Sequence, residues 1–329
     1  MLIMPILDLT QLTVGQRVQH ELMVLERLER KQATGEPYVV LTFGNATGRV
    51  DSAPIWSDKL PWAEGAERGR VVQVIGDVSA YRGKRQIQLT SPIRAIPADQ
   101  VRLDDFVPRI SEDPERLWDW VDRTRGEMVS TTLQRVLDLF FRDDVFRERF
   151  ERTPGSVSGH HARVGGLLKH VVEVTAIAKS AARALQVNVD LVVTGALLHD
   201  IGKVESYTID RGTFVYTARG NLIGHVVLGC LMLTERAMAA PAPVCGAEQL
   251  TELQHMILSH HHTLEQGSPV QPMTPEAELV YWADEASAKG NDMLESLADD
   301  AEFAMGGEFS DRRPWRVGHR IWRRTHGWS

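Results

Sequence analysis

Between residues 14 and 96 the apolar positions come in short runs rich in valine and isoleucine, at 18–25, 38–43, 48–55, 71–78 and 85–89. Runs of this length, broken by turn-forming residues, are the mark of strands that bury one face. The breaks are Thr34-Gly35-Glu36-Pro37, Gly44-Asn45 and Tyr81-Arg82-Gly83-Lys84. A short helical stretch, 60–67, stands between the third and fourth runs. Five strands with a helix between the third and fourth predict an oligonucleotide/oligosaccharide-binding (OB) type β-barrel over residues 1–96.

Residues 97–114 contain three prolines and several aspartates without a sustained period, and read as a linker. Beyond them the spacing becomes helical, as in Leu133, Val136, Leu137, Phe140 and Phe141. Helices are predicted over 115–125, 129–141, 145–152, 161–185, 189–201, 222–239, 247–259 and 275–289. A small hairpin interrupts them at 205–217, with Asp210-Arg211-Gly212 at its tip. The expected architecture is therefore multidomain: a barrel, then an all-α domain over 115–310, then a basic Arg/Trp-rich tail over 311–329.

Composition narrows the class. With 43% hydrophobic residues in 329, the chain can bury more than one core, and its apolar runs are cut by charge before they could span a bilayer. Residues 1–9 lack a basic leader, so a cytoplasmic protein without a membrane partner is expected. Cys230 and Cys245 lack C-x-x-C spacing, which argues against a thiolate zinc site. The net charge of −7 divides into +1 over residues 1–100 (12 basic, 11 acidic), −13 over 101–310 (19 and 32) and +5 over 311–329 (6 and 1). An acidic middle attracts a polyanion only if bound cations reverse its field, whereas both ends can meet phosphates directly. The tail is expected to pack on protein, because Trp315, Ile321 and Trp322 favour burial.

The candidate chemistry centres on His199-Asp200-Ile201-Gly202-Lys203, which follows the apolar helix 191–198. Gly202 is suited to end that helix with positive φ. An upstream helix offers His170, after Gly165-Gly166-Leu167-Leu168-Lys169, and a downstream one offers Asp284, after Tyr281-Trp282-Ala283. Imidazole nitrogen combined with carboxylate oxygen suits Mn²⁺, Fe²⁺, Co²⁺, Ni²⁺ or Zn²⁺. A lone histidine on an apolar helix is more often a core residue, so the weight lies on the set.

That set, in that order, resembles the HD phosphohydrolases, and Gly224-His225 with Ser259-His260-His261 resembles the subset that carries a second ion. The resemblance implies that Asp200 bridges two ions. His170, His199 and Asp284 would complete one; His225, His260 and His261 would complete the other. Two cations about 4 Å apart can activate a water and stabilise the departing oxygen. Lys203 is placed to bind a phosphate oxygen, and His161 to contact substrate or cap a helix, as is His160.

The flanks His160-His161-Ala162, Gly267-Ser268-Pro269 and Pro275-Glu276-Ala277, with a barrel preceding the helical domain, resemble the YhaM-type 3′-to-5′ exoribonuclease family. One departure is His262, where that family tends to carry glycine. The resemblance implies release of nucleoside 5′-monophosphates from the 3′ end of single-stranded RNA or DNA, usually with Mn²⁺, and self-association into a homo-oligomer. Tyr38, Trp56 and Tyr81 would stack bases, and Arg82, Lys84 and Arg85 would clamp phosphates, while Phe43 packs inside the barrel. Two other classes compete: an HD-type nucleotide or cyclic-dinucleotide phosphohydrolase, and a non-catalytic nucleic-acid-binding regulator.

Overall fold

A computed structural model describes residues 6–32, 34–101, 106–159, 161–303 and 305–328. His160 and residues 102–105 of the expected linker lie outside them. The contacts divide the chain into two compact units. One comprises Met1–Arg109, Ile209–Thr213 and Ser296–Ser329; the other comprises Ile110–Thr208 and Phe214–Glu295.

The first unit is built on strands β1 (Arg17–Lys31), β2 (Pro37–Asn45), β3 (Gly48–Ser52), β4 (Val71–Tyr81) and β5 (Lys84–Leu89). The hydrogen-bonded order β1-β2-β3-β5-β4 closes on itself because β1 also pairs with β4. This is the five-stranded closed barrel of OB type that the spacing predicts. The long β1 serves two neighbours by bending: its first half pairs with β4 and its second with β2, with a register shift between Val24 and Glu26. Period-two burial is clear in β4, where Val72, Val74 and Val78 face a core that also holds Leu41, Phe43 and Ile87.

Two details differ from expectation. The helix expected at 60–67 is a 3-10 turn, Ser57–Ala63, with Pro61 inside it, since proline cannot donate within a regular α-helix. A sixth strand, β6 (Arg94–Ala95), adds to the edge of β4.

The tail also departs from the expected packing. Ile321 is buried, but Trp315 is 70% and Trp322 42% exposed. The tail is held mainly through arginine. Arg323 lies 4.0 Å from the centroid of Phe303 and pairs with Asp300 at 2.9 Å, and Arg312 pairs with Glu302 at 3.4 Å. These acidic partners, Asp300 and Glu302, belong to the end of the acidic middle segment and lie in the same unit as the tail.

The second unit is helical: α1 (Pro114–Gly126), α2 (Thr131–Phe141), α3 (Asp144–Arg152), α4 (Gly166–Leu185), α5 (Val189–Leu198), α6 (Lys203–Ser206), α7 (Ala218–Ile223), α8 (His225–Ala239), α9 (Ala247–Ser259) and α10, which runs Pro275–Ala298. A two-stranded hairpin, β7 (Tyr207–Asp210) and β8 (Thr213–Tyr216), follows α6. Asp113, Ser130, Asp143 and Asn188 cap α1, α2, α3 and α5, each accepting from a backbone N–H of the first turn. Trp118, Phe141, Phe146 and Phe150 form an aromatic cluster where α1, α2 and α3 meet. Burial pushes the Cys230 and Cys245 thiols up. No helix among the described residues is long and apolar enough to cross a membrane.

Candidate metal centre

The site is built around α5, whose residues Leu191–Leu198 are buried on every face. Such a helix passes through the middle of its unit, so His199 and Asp200 at its end are carried to the interior, at 0% and 1% exposure. Gly202 does not end α5 with positive φ: its φ is −66°. It is needed for a different reason, because a Cβ there would lie 2.0 Å from the His225 carbonyl oxygen and 2.5 Å from the Gly229 nitrogen. Gly202 is thus the contact point that lets α8 approach the His-Asp turn. Helix α4 begins at Gly166, later than the expected 161, because Gly165 takes a φ of 84° and the His161 carbonyl occupies the space of a Gly166 Cβ.

Six side chains gather in two groups. One nitrogen or oxygen each from His170, His199 and Asp284 lie within 4.8 Å of one another, and the same holds for His225, His260 and His261. Asp200 stands between the groups and turns one oxygen to each. Its Oδ2 is 3.4 Å from His170 Nε2 and 3.1 Å from His199 Nε2; its Oδ1 is 3.5 Å from His225 Nε2 and 3.7 Å from His260 Nε2. His170 Nε2 also meets Asp284 Oδ1 at 3.0 Å.

The ring protons are assigned by their partners. Nδ1 of His199, His260 and His261 each faces a backbone carbonyl, of Ala196, Ile257 and Gln266, at 2.7, 2.7 and 2.8 Å. A carbonyl only accepts, so each Nδ1 carries hydrogen and each Nε2 turns a lone pair inward. For His170 the partner is Ser287 Oγ at 3.2 Å. Ser287 spends its own proton on Glu173 Oε2 at 2.9 Å, so it must accept from His170 Nδ1. His161 Nε2 at 3.0 Å and Asn291 Nδ2 at 2.8 Å donate to the same Glu173 oxygen. Burial alone would push the Glu173 carboxyl up, but these donors, His161 foremost, hold it down at about 2.

Electrostatics separates the groups. Burial works against the charge on His170, yet the neighbouring Asp200 and Asp284 carboxylates raise it to about 9. Burial lowers His225 to about 3 and His260 well below the ordinary imidazole range, so both are neutral. Asp200 is held well below the carboxylate range against the effect of burial, chiefly by Lys203 and His199. Lys203 Nζ lies 2.6 Å from Asp200 Oδ2 as an ion pair. Even so, both Asp200 oxygens and His260 Nε2 are buried without a hydrogen-bond partner of acceptable geometry among the described residues. Orphaned acceptors of this kind are costly, and several converging on one space fit a bound cation.

Other candidates fall differently. His262 takes a φ of 68°, the left-handed region that favours glycine, its ring lies on Tyr281 with centroids 4.6 Å apart, and it belongs to neither group. His161, expected at the substrate, is only 4% exposed and sits beside His170, bonded to Glu173. In the barrel unit, Tyr38 and Trp56 have ring centroids 5.1 Å apart, Phe43 is buried, and Tyr81 is exposed at the β4–β5 turn with Arg82 over its ring. Lys84 opens β5 in the open, and Arg85 meets the Thr10 carbonyl at 2.9 Å and Asp300 at 3.5 Å. Glu173, Ser287 and Asn291 escaped the sequence reading. The available signal was helical spacing, since Glu173 stands three residues after His170 on α4 and Ser287 three after Asp284 on α10.

Residues 167–289 match the HD domain family. The chain is 32% identical over 300 residues to the 3′-5′ exoribonuclease YhaM of Bacillus licheniformis, covering 91% of this chain and 92% of the relative. It is 31% identical to the YhaM proteins of Bacillus pumilus and Bacillus subtilis with the same coverage. No solved structure matches at a significant level. With this identity along nearly its whole length, the chain belongs to the YhaM family of HD-domain 3′-5′ exoribonucleases.

Proposed function

We propose that this chain is a metal-dependent exonuclease that shortens single-stranded RNA from its 3′ end and releases nucleoside 5′-monophosphates. The observation that carries the reading is Asp200, whose two oxygens divide between two histidine groups. His170, His199, Asp284 and Asp200 Oδ2 would hold one divalent ion; His225, His260, His261 and Asp200 Oδ1 would hold the other. The mixture of imidazole and carboxylate suits Mn²⁺, Fe²⁺, Co²⁺, Ni²⁺ or Zn²⁺, and the resemblance to the family favours Mn²⁺ among them. Such ions supply Lewis acidity and make water a competent nucleophile at neutral pH.

The chain's residues do the rest. The Nδ1 hydrogen bonds of His199, His260 and His261 fix their inward lone pairs before any ligand arrives, whereas His170 gives up a proton when an ion binds. Lys203 contributes a buried positive charge on the Oδ2 side of Asp200, which limits carboxylate repulsion of the anionic substrate. The cluster opens where Asp284 and His225 are 15% and 16% exposed, against 0–1% for His170, His199, Asp200 and His260. The scissile phosphate enters from that side. Water adds to phosphorus, the bond to the 3′ oxygen of the shortened strand breaks, and that oxygen takes up a proton while the phosphate leaves on the 5′ carbon of the terminal nucleotide.

The names of the relatives support RNA as substrate. The test is incubation with 3′-labelled single-stranded RNA and Mn²⁺, expected to release labelled mononucleotide first. Turnover of a free nucleotide or cyclic dinucleotide with intact RNA would replace this reading with that of a small-molecule phosphohydrolase.

A further inference from the structure

The barrel carries a recess that the metal centre does not explain. It arises where β5 runs parallel to β3, pairing Gln86 with Asp51, and so comes beside the chain leaving β3, where Ala53 N donates to the Ile87 carbonyl at 2.8 Å. The 3-10 turn Ser57–Ala63 follows and folds Lys59 and Trp62 over the same place. The result is a cavity of about 230 Å³ lined by Ile55, Trp56, Lys59, Trp62, Gln86 and Gln88, among others.

Its walls have the chemistry of a ligand site. Trp56 is 43% exposed, which leaves one ring face open to the recess, and is backed by the Tyr38 ring. Lys59 Nζ is held 4.6 Å above the Trp62 ring and makes no ion pair among the described residues. Gln86 and Gln88 alternate along β5 and face the recess together. Gln86 donates to Ser79 Oγ at 3.2 Å, which keeps its carbonyl free, and the Gln88 amide has no hydrogen bond among the described residues. The volume is below the roughly 300–1,000 Å³ of pockets that engulf a whole small ligand. It suits one flat ring system of a longer molecule whose remainder lies outside.

Resting on the exonuclease reading, we propose that this recess binds one nucleobase of the single-stranded RNA substrate: Trp56 stacks on the base, Gln86 and Gln88 meet its polar edge, and Lys59 neutralises the adjoining phosphate. The two side-chain amides can donate or accept, so the recess takes any of the bases, as an enzyme that shortens arbitrary strands requires.

The test is binding of the full-length chain to labelled single-stranded RNA of about 12 nucleotides, within the roughly 4–16 that one OB barrel covers. Phosphorothioate linkages at the 3′ end slow cleavage. An abasic ribose-phosphate polymer of equal length and charge serves as comparison. The wild type is expected to prefer RNA over the abasic polymer by about tenfold, Trp56→Ala to lose most of that preference, and Trp56→Phe to keep it. Lys59→Ala should weaken both polymers by a similar factor. Melting temperatures near the wild-type value establish that each variant folds, and Gln88→Ala, at an exposed position, offers a second variant expected to weaken RNA alone. Trp56→Ala and Gln88→Ala binding RNA as the wild type does, while the wild type still degrades RNA, would overturn the base recess alone. A wild type that neither binds nor shortens RNA would overturn the exonuclease reading and the recess with it.

Discussion

Glu173→Gln is the perturbation that most sharply separates structure from chemistry, because it keeps the side-chain volume and removes only the charge that orders His170. In the native chain one oxygen of Glu173 accepts from His161, Ser287 and Asn291 at 3.0, 2.9 and 2.8 Å. The Ser287 proton is committed there, so the serine can only accept from His170 Nδ1. Without the carboxylate, the hydroxyl is free to turn and donate to Nδ1, which would leave the proton on Nε2, the atom facing Asp200 and Asp284. Loss of a hydrogen bond that orients a metal-binding imidazole costs about 10- to 100-fold in affinity, or about 1.4–2.7 kcal/mol. Calorimetric titration of metal-free protein with Mn²⁺ or Co²⁺ is expected to show one binding step weakened by that factor. The other, on His225, His260 and His261, should stay within about twofold. Two unchanged steps, in a variant that melts like the wild type, would refute the positioning argument. Equal weakening of both would refute the separation of the groups.

Further outcomes follow from the same geometry. The raised pKa of His170, about 9, means that this imidazole holds a proton at pH 7 that an arriving cation must displace. Its ion should therefore bind about tenfold more tightly per pH unit up to pH about 9 and level off above; His225, at about 3, predicts a flat profile for the other ion over pH 6–9, and parallel profiles in a pH-resolved titration would contradict this. Gly202→Ala introduces a Cβ 2.0 Å from the His225 carbonyl despite a φ of −66° that alanine tolerates. It should destabilise by about 1–3 kcal/mol in denaturant titration, whereas a gain of about 0.4–1 kcal/mol would mean that backbone entropy outweighs the clash. Lys203→Met removes the charge 2.6 Å from Asp200. It should lower kcat by about 10²-fold with little change in KM, and a pure KM effect would move Lys203 to substrate binding.

Much of this was legible in the sequence because the relevant signals are local. Five apolar runs and their turns foretold the barrel, since period-two burial is written directly into β4 as Val72, Val74 and Val78. The order of His170, His199, Asp200, His225, His260, His261 and Asp284 foretold which side chains meet, because each stands at or near a helix end or on a buried face. What escaped depends on distances between elements. Gly202 is required by the approach of α8, which no local rule contains. Glu173 matters through Ser287, a residue 114 positions away. Arg85 meets Asp300, 215 positions distant, a contact that could not be judged from a basic turn. The exposed Trp315 and Trp322 show the limit of burial preference in a segment held by arginine instead.

Asp200, with one oxygen turned to each histidine group, is placed to serve two cations at once. The most direct test is the Mn²⁺ stoichiometry of the purified chain, measured by elemental analysis after equilibrium dialysis for wild type and Asp200→Asn in parallel. The geometry predicts two ions per wild-type chain and loss of both, or weakening of both, in the variant. A single ion in the wild type, or a variant that keeps one site at full affinity, would contradict it.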